Sequence, residues 1–113
     1  MMRRQRTSMT AFKDIQKILD DAVGGDNIGA HGPFWRNITR DQFVAKNVFS
    51  CPILFRDATG KLVGKDSLLI QILRGPVKDC KGKNRPQMPF GFDPVPADQI
   101  ATIEKWIDDQ APE

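Results

Sequence analysis

The chain is poor in the side chains from which most metal centres and nucleophilic active sites are built. Its 113 residues include one histidine, His31, and two cysteines, Cys51 and Cys80. A single imidazole excludes a multi-histidine metal site, and zinc sites with thiolate ligands need more cysteines at closer spacing. The two thiols stand too far apart in sequence for CxxC chemistry. Neither has local sequence support for a nucleophile pair with His31. The stretch GGDNIGAHG (24–32) has glycines, yet it lacks the spacing and the lysine of a phosphate-binding loop. No enzyme is expected from these residues, and no metal site.

Long apolar runs are missing too, and nothing approaches the roughly 18–20 residues that cross a bilayer. The N-terminal MMRRQRTSMT is basic, but Lys13, Asp14 and Lys17 break up the segment after it, so no apolar signal core forms. The expectation is therefore a cytoplasmic protein with reduced thiols. A disulfide stays open as an alternative if the chain is exported by another route. There is no repeat or low-complexity segment.

The rest of the composition is ordinary for a globular chain: 40% hydrophobic and 27% charged residues. A chain of this length buries roughly two-thirds of its unfolded surface, enough for one core. The net charge of +3 is located at one end. Arg3, Arg4 and Arg6 account for the surplus, and from Thr7 onward basic and acidic residues balance. Residues 1–9 thus read as a disordered basic tail and 10–113 as a single domain. Three charges attract counterion-coated nucleic acid only weakly, so a nucleic-acid partner is not expected.

The periodicity predicts four helices. Phe12, Ile15, Ile18, Leu19, Ala22 and Val23 make one apolar stripe over about 11–23, with Thr10 as a cap and Gly24-Gly25 as the stop. Residues 26–37 should form an irregular loop that turns Phe34 and Trp35 inward. Thr39 and Gln42 fit a capping box for a short helix from Arg40 to about Asn47 that buries Phe43 and Val44. Residues 49–63 read equally as a small hairpin around the turn Asp57-Ala-Thr-Gly60 or as an extended loop. Asp66 or Ser67 can cap a third helix bearing Leu68, Leu69, Ile72 and Leu73, and Gly75-Pro76 ends it. Residues 77–96 show no periodicity and read as a long loop of the kind that is usually functional or wraps something. The last helix starts near Pro96 and carries Ile100, Ile103, Trp106 and Ile107. The pairs Asp20-Asp21 and Asp108-Asp109 read as solvated helix faces. The whole predicts an all-α domain, with aromatic side chains filling space that the modest aliphatic supply leaves.

The order of a short apolar helix, a loop with Met88-Pro89 and a terminal helix ending in WIDDQAP resembles a class I cytochrome c domain. His31-Gly32 stands where the haem-ligating histidine and its glycine would be. Asn27 and Ala30 occupy the two attachment-cysteine positions, so the CxxCH motif is lacking and no thioether to haem can form. The resemblance implies a cytochrome c-like fold in which the N- and C-terminal helices cross, with Phe12, Ile15 or Leu19 against Ile103, Trp106 or Ile107. It also implies a haem-free binding or accessory module, acting with a redox partner, in which phenylalanines and tryptophans have replaced the haem. The alternative is a non-covalent haem electron carrier with His31 and Met88 as axial ligands. Lys78, Lys81, Lys83 and Arg85 precede Met88 closely. Cytochrome c domains use such lysines to steer toward acidic redox partners, which makes these five residues the candidate binding surface for a protein with an acidic face.

Overall fold

The computed structural model describes residues 10–24, 34–89 and 91–113. The basic tail, His31, and the Asn27 and Ala30 positions lie outside the described residues. The helices are α1 (Phe12–Ala22), α2 (Arg40–Val44), α3 (Leu68–Arg74) and α4 (Ala97–Asp108). Between them run six two-residue strands, β1 (Asn47–Val48), β2 (Cys51–Pro52), β3 (Phe55–Arg56), β4 (Leu62–Val63), β5 (Val77–Lys78) and β6 (Asn84–Arg85). They pair as three antiparallel hairpins, β1–β2, β3–β4 and β5–β6. With 37% helix and 13% strand among the described residues the fold is mixed α/β, which overturns the all-α, cytochrome c-like fold class. The reason is physical: a two-residue strand spans one period of side-chain alternation, so it leaves no pattern to read.

Local chemistry accounts for the helix ends. The Thr39 Oγ1 accepts from the Gln42 amide at 3.1 Å, and the Gln42 Oε1 accepts from the Thr39 amide at 2.9 Å. That reciprocal box starts α2 as the sequence predicts. At α1 the cap is Ala11 rather than Thr10, and the Asp14 carboxylate accepts the Ala11 amide at 2.9 Å. Ser67 precedes α3 but does not cap it with its side chain. Its buried hydroxyl instead accepts from the Phe55 amide (2.9 Å) and donates to the Val63 carbonyl (2.8 Å), sewing the β3–β4 hairpin to the start of α3.

The core is one cluster running from Phe12 to Ala111. Five of the seven α3 residues are buried, Ile70 included, so the helix sits inside with apolar contacts around most of its circumference. At the other end of the core the aromatic rings meet. Phe12 stacks on Trp106 with centroids 6.0 Å apart, and Phe43 contacts both, at 5.4 Å and 6.0 Å. Trp35 is buried and meets Phe34 edge-on at 5.1 Å. Phe12, Trp35, Phe43 and Trp106 therefore fill the core, whereas Phe55 and Phe92 do not and stand exposed. The start of α1 does meet α4 through Phe12 and Trp106.

The C-terminal turn is locked by polar contacts. Gln110 and Ala111 both have positive φ (72° and 55°), and the Arg40 guanidinium donates to their carbonyls at 2.7 Å and 2.6 Å. The Gln110 side-chain amide pairs with Leu62 as a strand would, accepting its N–H at 2.9 Å and donating to its carbonyl at 3.1 Å. Trp106 Nε1 donates to the Pro112 carbonyl at 2.8 Å. One member of each aspartate pair is not simply solvated, while Asp21 and Asp109 lie at the surface beside Lys17 and Lys105. Asp108 accepts the Gly64 amide at 2.7 Å, and Asp20 accepts from Trp35 Nε1 at 2.7 Å and from Arg36 Nε.

Two stability measurements check this packing. Trp106→Ala removes an indole that is 1% exposed. It is expected to cost about 3–5 kcal/mol in urea denaturation, and a loss below about 1 kcal/mol would mean the aromatic cluster is misassigned. Gly64 lies so close to α4 that a Cβ there would come within 2.7 Å of the Glu104 carbonyl oxygen. Gly64→Ala is expected to cost about 1–3 kcal/mol, with no loss expected if β4 and α4 are not in contact.

Candidate binding surface

The segment expected to be an unstructured loop, 77–96, opens with a hairpin. Val77 pairs with Arg85 and Lys78 with Asn84. Its turn is built on Asp79. The Asp79 carbonyl accepts the Gly82 amide and its amide donates to the Lys83 carbonyl, both at 2.9 Å. Gly82 supplies the left-handed backbone that this turn needs (φ 79°). The Asp79 side chain is fully buried. One of its carboxylate oxygens accepts the Lys81 and Lys83 amides at 2.9 Å and 3.0 Å, and the other accepts Arg85 Nε at 3.0 Å.

Two further contacts fasten the hairpin to the body. Cys80, in its turn, forms a disulfide with Cys51 at the start of β2, with Cα atoms 5.8 Å apart. The expectation of reduced thiols thus gives way to a covalent tie. The Arg85 guanidinium also lies 3.8 Å from the centre of the Phe49 ring. Phe49 and Ser50 form the two-residue β1–β2 turn, and both have positive φ (57° and 62°). A phenylalanine in that conformation is uncommon and costs strain. The disulfide next to it in sequence and Arg85 above its ring help to hold it there.

The five sequence-predicted site residues therefore divide. Lys78, Lys81 and Lys83 are exposed on the hairpin. Arg85 is not free for a partner, because Asp79 and Phe49 occupy it. Met88 is half-buried and lies apart from the lysines. Its amide donates to the Ile72 carbonyl at 2.9 Å, and its side chain lines an apolar cavity of about 50 Å³ beside Leu19, Val23, Ile72 and Val95. Ligand pockets run from roughly 300 Å³ upward. Met88 and its neighbours as placed do not fit a porphyrin. The other axial position of the resemblance, His31, lies outside the described residues. Among the described residues no group of His, Cys, Asp and Glu is arranged to hold a metal ion, and no helix is long and apolar enough to cross a membrane.

Sequence reasoning missed Asp79, Phe49 and the cysteine pairing. A signal for the first was present. Asp57-Ala-Thr-Gly-Lys61 and Asp79-Cys-Lys-Gly-Lys83 share the pattern D-x-x-G-K. Asp57 makes the same backbone closures to Gly60 and Lys61, and its carboxylate likewise accepts the amides two and four residues on.

Electrostatics follow from these bonds. Burial alone would raise the Asp79 pKa, but the Lys83 and Lys81 amides and then Arg85 outweigh it and hold the carboxyl below its ordinary value. At Asp20 burial is likewise outweighed, by hydrogen bonds from Arg36 and Trp35 and the Arg36 charge. A carboxylate with a lowered folded pKa stabilises the fold above its unfolded pKa, near 3.9, and that stabilisation is lost as pH falls through the folded value. Asp79→Asn is therefore expected to be less stable than wild type at neutral pH. The gap should narrow as urea melts are taken from about pH 5 down to about pH 2. A gap independent of pH would show that the charge on Asp79 contributes nothing.

No family model matches this chain, and no match was found among the curated proteins or the solved structures.

Proposed function

We propose that the chain is a non-catalytic binding module that docks an acidic protein surface through the hairpin 77–85. The observation that carries this reading is the presentation of Lys78, Lys81 and Lys83, exposed on a hairpin whose own backbone is fixed. The buried Asp79 shapes its turn, Arg85 braces it against Phe49, and the disulfide ties it to β2. A docking element held in one conformation loses less entropy on binding than a flexible loop, so modest charge attraction suffices for recognition. Three lysines also raise the encounter rate with an acidic surface through their long-range field.

A protein fits this surface better than nucleic acid does. From Thr7 onward the charges balance, and three lysines release few counterions from a polyanion. The groove of about 220 Å³ beside the hairpin adds apolar contact area. Pro52 and Phe55 line it together with Lys78, and Phe55 is 44% exposed. An exposed aromatic with polar, charged groups around it matches the apolar centre and polar rim of a protein interface.

The test is a titration with a synthetic acidic peptide containing one aromatic residue, monitored by amide chemical shifts. Shifts should concentrate in 77–85 and around Phe55. Reversal of Lys78, Lys81 and Lys83 to glutamate should weaken binding by roughly tenfold at low salt. That difference should fall as the ionic strength rises. Shifts confined to the arginines of the N-terminal tail, or equal binding by the reversed variant, would refute the reading.

A further inference from the structure

The disulfide that ties the hairpin down is asymmetric. Cys51 is 1% exposed, whereas Cys80 stands exposed in the hairpin turn. The S–S bond therefore runs from the core outward. A thiolate breaks a disulfide by attacking one sulfur in line with the bond, from the side opposite the sulfur that leaves. Attack on Cys51 would have to come through the core. Attack on Cys80 comes from solvent.

The surroundings favour the same direction. The Cys80 amide points at Cys51 Sγ at 3.2 Å, which places a donor on the sulfur that would depart with the charge. Lys78 lines the groove beside both cysteines and Lys81 follows Cys80 directly. Of the two carboxylates on the groove, Asp79 is neutralised by Arg85, and Asp66 is outnumbered by the two lysines on the approach to Cys80. The groove, walled by Pro52 and Phe55, gives the body of an attacking thiol a place to lie.

We propose that Cys51–Cys80 is a thiol–disulfide exchange site, opened by a dithiol that attacks Cys80 and expels Cys51. The attacking thiolate bonds to Cys80 Sγ as the Cys51–Cys80 bond breaks, and the electron pair leaves on Cys51. The second thiol of the reductant, as thiolate, then attacks its own sulfur in the mixed disulfide and frees the Cys80 thiolate. Two electrons pass to the protein, the dithiol becomes a disulfide, and its two protons end on Cys51 and Cys80. Within the hairpin the Asp79 bonds to Lys81, Lys83 and Arg85 are untouched by this step. The step releases the covalent tie to β2, which changes the hairpin from a fixed element to one held only by non-covalent contacts. This inference stands whether or not the lysines dock an acidic partner, because its readout is the chemistry of the two sulfurs.

The full-length, oxidised protein would be exposed to limiting reduced glutathione in native buffer. The reaction would then be quenched with an alkylating agent and the adducts mapped by mass spectrometry. Glutathione should appear on Cys80 in about tenfold or greater excess over Cys51. Tryptophan fluorescence should stay native, and the initial rate should be unchanged at low urea concentrations. An adduct that forms equally or preferentially on Cys51 would overturn the proposal. So would an opening rate that climbs with urea in step with global unfolding, because the bond would then be a buried structural cross-link.

Discussion

The arrangement depends on the burial of α3. A helix of seven residues is too short to hold itself together, since nucleation costs more than its few internal hydrogen bonds return. Its neighbours supply what it lacks. The Leu69 amide, which no turn of helix can satisfy, donates to the Ile53 carbonyl at 3.1 Å. At the other end the Ile72 and Leu73 carbonyls accept from the Met88 amide and the Gln87 side chain, at 2.9 Å and 3.0 Å. The helix thus recruits the segment before it and the segment after the lysine hairpin to close its ends. Its apolar faces meet the rest of the core. Met88, which the resemblance made a metal ligand, serves here through its backbone as a helix terminator and through its side chain as a wall of a small apolar cavity.

From that anchor the lysine hairpin inherits its position. It leaves directly from the end of α3 and returns to it through Gln87 and Met88, so both of its ends are held. Asp79 then converts a short reversal of chain into a defined shape. Its buried carboxylate is an acceptor without equal in the turn, taking two backbone amides and a guanidinium at once. Arg85 passes that constraint on to Phe49, and the disulfide joins the same two hairpins a second time. The left-handed Phe49-Ser50 turn is the strained partner in this arrangement. A short β1–β2 loop with such residues persists only because its surroundings over-determine it.

Legibility tracked the range of the interactions. The Thr39–Gln42 box and the stripes of α1 and α4 were readable because their partners lie within one or two turns of each other. The β3–β4 turn was half-readable through Asp57 and Gly60. The equivalent turn at Asp79 is hidden by the prolines and the lack of periodicity around it, which read as a long loop. Its D-x-x-G-K pattern repeats that of Asp57 to Lys61, and comparing the two would have exposed it. The β1–β2 turn was not readable at all, since Phe-Ser has none of the Asn-Gly chemistry that marks a left-handed two-residue turn. The disulfide was undecidable from spacing, because 29 residues separate the cysteines and only the fold sets their distance.

The sequence by itself determined the four helical segments and the inward placement of Phe12, Trp35, Phe43 and Trp106, because each rests on local periodicity or on a bulky apolar side chain beside it. Tertiary structure alone decided that the fold is mixed, that Arg85 is consumed by Asp79 and Phe49, and that Cys80 meets Cys51. Those outcomes depend on which distant backbone groups remain unsatisfied and which side chains reach them. Pairings of that kind follow from closing the whole core, and no stretch of a few residues encodes them.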